Sequence, residues 1–271
     1  MKNWTGIAFL TVIIFWATSV CAGEEPAVNA SAAVLLNAET GAVLYAKNPN
    51  KIMAPASTTK IMTAIILIEK GNLDHKIRIS RRAANQPGSS MNLRRGEERT
   101  LRELLYGLLL SSGNDAATAI AEYISGSEER FARLMTTKAH QLGMNNTCFK
   151  NASGLPAVGH YTTAYDMALL AGYALKNETF AEVVQTKVAS ISSSRSNRSR
   201  SLVNHNKLLW QYPYTTGIKT GYTRRAGKCL VASASQNGNT LISVVLKSGT
   251  MYNDSINLFD YGFNRLEEAT E

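Results

Sequence analysis

Apolar and polar positions alternate along this chain with two different periods. Ala32 to Asn37 and Ala42 to Lys47 are β-favouring runs on either side of Glu39-Thr40-Gly41, which predicts a hairpin. Pro55-Ala56 then interrupts the strand pattern. Ser57 to Lys70 is apolar on nearly every face and is closed by Gly71, so it predicts a buried helix. Thr100 and Glu103 have the spacing of a capping box, and Leu101, Leu104, Leu105, Leu108 and Leu109 follow at helical intervals as far as Ser111-Ser112-Gly113. Asp115 to Ile124, Glu128 to Leu142 (with Ser127 as N-cap and Gly143 just past its end) and Thr163 to Leu175 predict further helices.

From about residue 185 the pattern changes to strands: Thr186 to Ile191, Ser201 to Asn204, Thr215 to Thr223, Lys228 to Ser235 and Thr240 to Lys247. Asn237-Gly238-Asn239 reads as the turn joining the last two. Asn253 to Leu266 returns to near-helical spacing and is expected to pack back on the sheet. Strands at both ends with helices between them predict one α/β (α+β) unit. Its sheet is drawn from about 28–50 and 185–271, with a helical subdomain inserted at about 72–180. Ser192 to Arg200 is low in complexity and carries arginines; it reads as a solvated hairpin tip, with contact to an anionic polymer as the alternative.

The N-terminus sets the compartment. Lys2, the apolar run Ile7 to Trp16 and the small-residue site Val20-Cys21-Ala22 predict a secretory signal peptide over residues 1–22, hence an exported protein acting in the periplasm, the cell wall or the medium. A retained anchor is the competing reading, and membrane association is expected only in that case. Bulky Val20 disfavours lipidation of Cys21. Beyond this segment only Cys148 and Cys229 remain, too few for a disulfide framework, and Cys229 reads as a small core residue. His75, His140, His160 and His205 show no metal-ligand spacing, so neither a metal nor another cofactor is expected. The formal net charge of +9 favours an anionic partner. Export argues against nucleic acid and for wall polymers.

Three short motifs carry chemistry. Ser57-Thr58-Thr59-Lys60 puts a hydroxyl and an amine three residues apart at a helix start, on one face. A desolvated lysine there can act as base toward serine, and the helix N-terminus supplies N–H groups for an oxyanion. The motif alone also fits a capped helix with a solvated lysine. Ser-x-Asn occurs four times, at Ser90/Asn92, Ser112/Asn114, Ser235/Asn237 and Ser255/Asn257. The copy Ser112-Gly113-Asn114 is favoured because it joins two buried helices, where glycine lets the backbone turn into a cleft. Lys219-Thr220-Gly221 lies in a strand, where the glycine marks close backbone approach and the lysine and hydroxyl suit a carboxylate; an ordinary edge strand is the bland alternative. The order of the motifs, on helix, interhelical loop and strand, is more informative than any one of them.

With these motifs the chain resembles the penicillin-binding serine D-alanyl-D-alanine carboxypeptidases of the low-molecular-weight group. The likeness extends through Ala54-Pro-Ala-Ser57-Thr-Thr-Lys60, Ser112-Gly-Asn-Asp115-Ala, Asn151-Ala-Ser-Gly-Leu-Pro156, Tyr161-Thr-Thr-Ala-Tyr-Asp166, Asn204-His-Asn-Lys-Leu-Leu-Trp210 and Gly217-Ile-Lys219-Thr-Gly-Tyr-Thr223. It implies a β-lactamase/transpeptidase-like fold, an antiparallel sheet flanked by helices. It also implies that Ser57 is the acyl-ester nucleophile, Lys60 its base, Ser112 a proton relay and Asn114 a holder of the substrate amide. Lys219 would add positive potential, Thr220 and Thr223 would face the terminal carboxylate beside Gly221, and the N–H groups of Ser57 and Tyr222 would form the oxyanion hole. The implied substrates are peptidoglycan stem peptides, and β-lactams would acylate Ser57.

Two departures stand out. The sequence stops at Glu271, so the β-rich domain and amphipathic anchor of typical members are not expected, and Lys247 to Asn253 is short and lacks the arginine that many relatives carry there. A class A β-lactamase is disfavoured, because the only glutamate between Ser153 and Phe180 is Glu178, with no asparagine four residues on. A D,D-endopeptidase that cuts cross-links and a non-catalytic penicillin-sensing or wall-binding module are the other readings.

Overall fold

The computed structural model describes residues 25–192 and 199–269; the signal-like segment and most of the Ser192–Arg200 stretch lie outside them. The predicted hairpin forms as β1 (Ala32–Asn37) and β2 (Val43–Lys47). Asn37 Oδ1 accepts from the N–H groups of Glu39 and Thr40 and so closes the turn. The expected helix from Ser57 divides in two: a 3₁₀ turn over Ala56–Thr59, then α1 (Lys60–Lys70). Proline at position 55 and a left-handed Ala56 (φ 49°) leave no room for a regular first α-turn.

A two-stranded ribbon of β3 (Lys76–Arg78) and β4 (Glu98–Thr100) encloses the one-turn helix α2 (Arg81–Ala84). Next come α3 (Leu101–Leu109), α4 (Asn114–Ser125), α5 (Glu128–Gln141), α6 (Ala164–Leu175) and α7 (Glu178–Gln185). The capping box of α3 is complete, with Thr100 Oγ1 accepting from Glu103 N and Glu103 Oε2 from Thr100 N. Helix α7 was not apparent from periodicity. Its signal is local, since Asn177 Oδ1 accepts from Phe180 N as an N-cap.

β5 (Val188–Ile191) and β6 (Arg200–Val203) pair with each other in a separate ribbon, which corrects the expectation that they join the main sheet. The ribbon is tied instead to the β3–β4 region: Arg200 Nη1 lies 3.2 Å from Glu97 Oε1, and buried Arg99 bonds both Glu97 and the carbonyl of Ser192. Arg200 is therefore an internal ion partner and not a solvated tip residue. After the short α8 (Leu208–Gln211), strands β7 (Thr215–Thr223), β8 (Gly227–Gln236) and β9 (Asn239–Ser248) complete a five-stranded antiparallel sheet in the order β2-β1-β9-β8-β7. The chain ends in α9 (Met251–Glu268).

Period-two alternation explains why this sheet is central. Ala32, Val34 and Leu36 of β1, with Val231, Val244 and Leu246, enter the core formed with α1, α3, α4 and α6. Ala33 and Leu35, with Leu230, Ala232 and Val245, meet Leu258, Phe259 and Phe263 of α9 on the other face. The inserted helices are not a detached layer, because α6 packs directly on β1 and β9. Both sheet faces are dry, so β7 has a rigid backing as it passes the 3₁₀ turn.

The α3–α4 junction is held by one carboxylate. Fully buried Asp115 accepts from Ser90 Oγ, Met91 N, Leu93 N and Ala116 N, and so ties the loop before β4 to the start of α4. Asp115→Ala strands those donors in the interior. It is expected to lower unfolding free energy by about 3 kcal/mol or more in urea titrations; a loss below about 1 kcal/mol would show that the loop is held by other contacts.

Candidate active site

The amine of Lys60 lies at the centre of the site and is enclosed on all sides. Its side chain is fully buried, and Nζ lies 3.0 Å from Ser57 Oγ, 2.8 Å from Asn114 Oδ1 and 2.6 Å from the carbonyl oxygen of Ser153. These partners come from the 3₁₀ turn, the first residue of α4 and the loop between α5 and α6. The orientation of Asn114 follows from its other end: Nδ2 donates to the Pro87 carbonyl at 2.6 Å, which leaves Oδ1 for the lysine.

Burial drives the Lys60 pKa well below the ordinary lysine value, and the positive charge of Lys219 pushes the same way, against a smaller opposing effect of Asp115. A neutral amine offers two N–H donors and one lone pair. Asn114 Oδ1 and the Ser153 carbonyl can only accept, so they take the two donors. The lone pair is left for Ser57 Oγ, whose hydroxyl hydrogen can point into it. Sequence spacing put Ser57 beside Lys60; the two acceptors orient the pair.

The Ser153 carbonyl is held by an asparagine turn. Asn151 Oδ1 accepts from Ser153 N, Ser153 Oγ and Gly154 N, and Nδ2 donates to Leu155 O. Gly154 (φ +86°) then passes under the 3₁₀ turn so closely that a Cβ would sit 1.8 Å from the Ala56 carbonyl oxygen. Residues 151–154 belong to the family likeness, but sequence reasoning assigns them no role. The readable signal is the Asn-x-Ser-Gly turn chemistry. A further brace is His160: its Nδ1 faces Lys150 N at 3.4 Å, so Nε2 carries the hydrogen and donates to Thr59 Oγ1 at 3.1 Å. Burial lowers its pKa to about 4, which keeps the ring neutral and the tautomer fixed.

Strand β7 forms the opposite wall. A Cβ on Gly221 would lie 2.9 Å from Ser57 N and 3.1 Å from Thr58 N, so only glycine allows the strand to run this close to the 3₁₀ turn. Lys219 is buried, and its Nζ donates to the Thr220 carbonyl at 3.0 Å; among the described residues no carboxylate pairs with it. Desolvation lowers its pKa to about 7. Thr220 and Thr223 are half-buried and Tyr222 is exposed, and Thr223 Oγ1 also accepts from Ala226 N at 3.0 Å, which pins the following turn. Ser112 is buried with a left-handed backbone (φ 57°) two residues before Asn114, yet it makes no hydrogen bond with the described residues. Among the described residues no hydrogen bond joins Ser112, the residue expected to relay protons, to Lys60 or Ser57. His205, whose N–H is held by the Leu110 carbonyl at 3.1 Å, has its pKa lowered by burial and by the charges of Lys219 and Lys60, so it borders the same groove.

Among the described residues no group of three or more His, Cys, Asp or Glu side chains is placed to hold a metal. The chemistry the groove offers is nucleophilic: an oriented hydroxyl, a desolvated amine and a cationic wall facing a strand edge.

Comparison with known proteins gives the same picture. The D-alanyl-D-alanine carboxypeptidase family model matches residues 19–250. The D-alanyl-D-alanine carboxypeptidase DacF of Bacillus subtilis is 42% identical over 252 residues, covering 90% of this chain and 64% of that protein. The D-alanyl-D-alanine carboxypeptidase of Streptomyces sp. K15 is 36% identical, with 94% of each chain covered. The crystal structure of the Streptomyces K15 DD-transpeptidase superposes with a TM-score of 0.85 at 33% identity, over 89% of this chain and 99% of that one. The enclosed lysine, the glycine-lined strand and these likenesses agree, and the chain belongs to the D-alanyl-D-alanine carboxypeptidase family, the S11 peptidases.

Proposed function

We propose that the protein is a serine D-alanyl-D-alanine carboxypeptidase that removes the terminal D-alanine from peptidoglycan stem peptides through an acyl-enzyme on Ser57. The observation that carries this reading is the hydrogen-bond pattern around Lys60 Nζ, which aims the amine's free lone pair at Ser57 Oγ. Lys60 takes the hydroxyl proton as Oγ attacks the penultimate carbonyl. The N–H groups of Ser57 and Tyr222 receive the developing oxyanion, and the proton passes to the departing D-alanine amine. Water then attacks the ester with the same base, releasing the shortened peptide. Asn114 holds both the base and the substrate amide. Lys219, together with the Thr220 and Thr223 hydroxyls along Gly221, attracts the terminal carboxylate. Ser112 joins the relay once substrate fills the groove.

Peptidoglycan lies outside the cytoplasmic membrane, so the signal-like segment 1–22 is read as the export signal and residues 23–271 as the catalytic domain. Among the described residues no helix is long and apolar enough to cross a membrane. β-Lactams share the acylation chemistry and are expected to trap Ser57.

Incubation with penicillin followed by intact-mass measurement is expected to give one drug-sized adduct on the wild type and none on Ser57→Ala; an adduct on both proteins, or on neither, contradicts the assignment. The pH profile tests the two lysines. In the free enzyme kcat/KM rises as Lys60 loses its proton, then falls as Lys219 loses its charge above about 7. Lys219→Gln removes the falling limb. It also removes the charge that depresses Lys60, so the rising limb moves to higher pH. Peak activity is expected to drop by roughly 10- to 1000-fold, and an unchanged profile would rule out the coupling.

A further inference from the structure

A second concave site lies beyond the β7–β8 turn. Lys51, Arg225 and Lys247 line a cavity of about 270 Å³ with Ser31, Tyr161 and His160, and among the described residues no aspartate or glutamate lines it. The three cations are exposed, and none of them takes part in an ion pair with a described residue. Like charges gathered on one hollow without a counter-ion repel each other, and an anionic ligand relieves that repulsion.

The backbone is arranged to hold them there. Lys247 has φ 54°, the left-handed region that a lysine rarely occupies, and it lies within an irregularity of the β8–β9 register, between the pairs Lys228–Ser248 and Leu230–Val245. Its side chain lies over Gly227, where an added Cβ would come within 3.0 Å of Lys247 Cγ. Its carbonyl accepts from Ser31 N at 3.3 Å, which ties the strand end to the segment before β1. The turn that carries Arg225 is closed by Ala226 N–H donating to Thr223 Oγ1, and Arg225 also lines a small crevice with Ala56, Gly154 and Thr223. Ala54, His160 and Arg225 line both the cavity and the crevice, and the crevice reaches Ala56, the residue before Ser57. His160, neutral in its fixed tautomer, adds no charge to either.

We propose that this cavity binds the phosphodiester backbone of an anionic wall polymer and so moors the enzyme beside its peptide substrate. The guanidinium of Arg225 matches phosphate oxygens in a bidentate way, and two lysines add point charges. At about 270 Å³ the space exceeds what a single carboxylate needs. The chain's formal net charge of +9 favours the same partner. The inference rests on the peptidoglycan reading only for where the polymer would be met.

The test is equilibrium binding of a fluorescent poly(glycerol phosphate) oligomer to the full chain at fixed ionic strength. The Lys51→Gln/Arg225→Gln/Lys247→Gln variant is expected to bind about tenfold or more weakly. The equally charged control Lys70→Gln/Lys76→Gln/Arg133→Gln is expected to bind like the wild type. Near-ultraviolet circular dichroism checks that each variant is folded. Ser57→Ala, which cannot be acylated, is expected to bind normally, so failure of the catalytic reading and failure of this one are separable. Equal losses in both triple variants, equal competition by poly-L-glutamate of matched charge, or no binding by the wild type would each overturn the proposal.

Discussion

Placing an amine in a dry interior is costly, and in this protein that cost sets the chemistry. Among the described residues no carboxylate bonds to Lys60, whose partners are a hydroxyl, an amide oxygen and a main-chain carbonyl. Three acceptors around a charged ammonium do not replace water's solvation, so the neutral form gains ground. Once the amine is neutral, its two compulsory acceptors fix where the remaining lone pair points. Protonation state and geometry are thus one constraint, and Ser57 lies in its line.

The surrounding structure serves to keep that constraint in place. Asp115 fastens the loop that receives Asn114 Nδ2 at Pro87, so it governs the amide's orientation from a distance. Asn151 fastens the loop that presents the Ser153 carbonyl. Gly154 and Gly221 let two backbones close on the 3₁₀ turn from opposite sides, where any Cβ would collide with main-chain atoms. The sheet behind β7, packed on both faces, prevents the strand from retreating. Lys219, on β7, lies close enough to depress Lys60, and among the described residues it pairs with no carboxylate.

Much of this was legible in the sequence because it depends on local periodicity and spacing. The hairpin, α3 with its capping box, the three long strands and the C-terminal helix follow from apolar periods and turn residues. The pairing of Ser57 with Lys60 follows from a three-residue offset. Three features were not legible, each for a physical reason. The 3₁₀ start of the first helix depends on the left-handed Ala56, whose conformation is set by tertiary packing against Gly154. The separate β5–β6 ribbon depends on buried Arg99 and on Arg200 finding Glu97 across more than a hundred residues, which no local pattern encodes. The Ser153 carbonyl carries no side-chain signature at all; only the Asn151 turn before it hints at its position.

The central claim is most directly tested by titrating the Lys60 amine itself, with ¹⁵N-labelled lysine and NMR detection of the side-chain nitrogens, assigned through Lys60→Arg. A base prepared by burial predicts a Lys60 titration well below the ordinary lysine value of about 10.4. A Lys60 that stays an ammonium up to that value would contradict it, whatever the enzyme's activity.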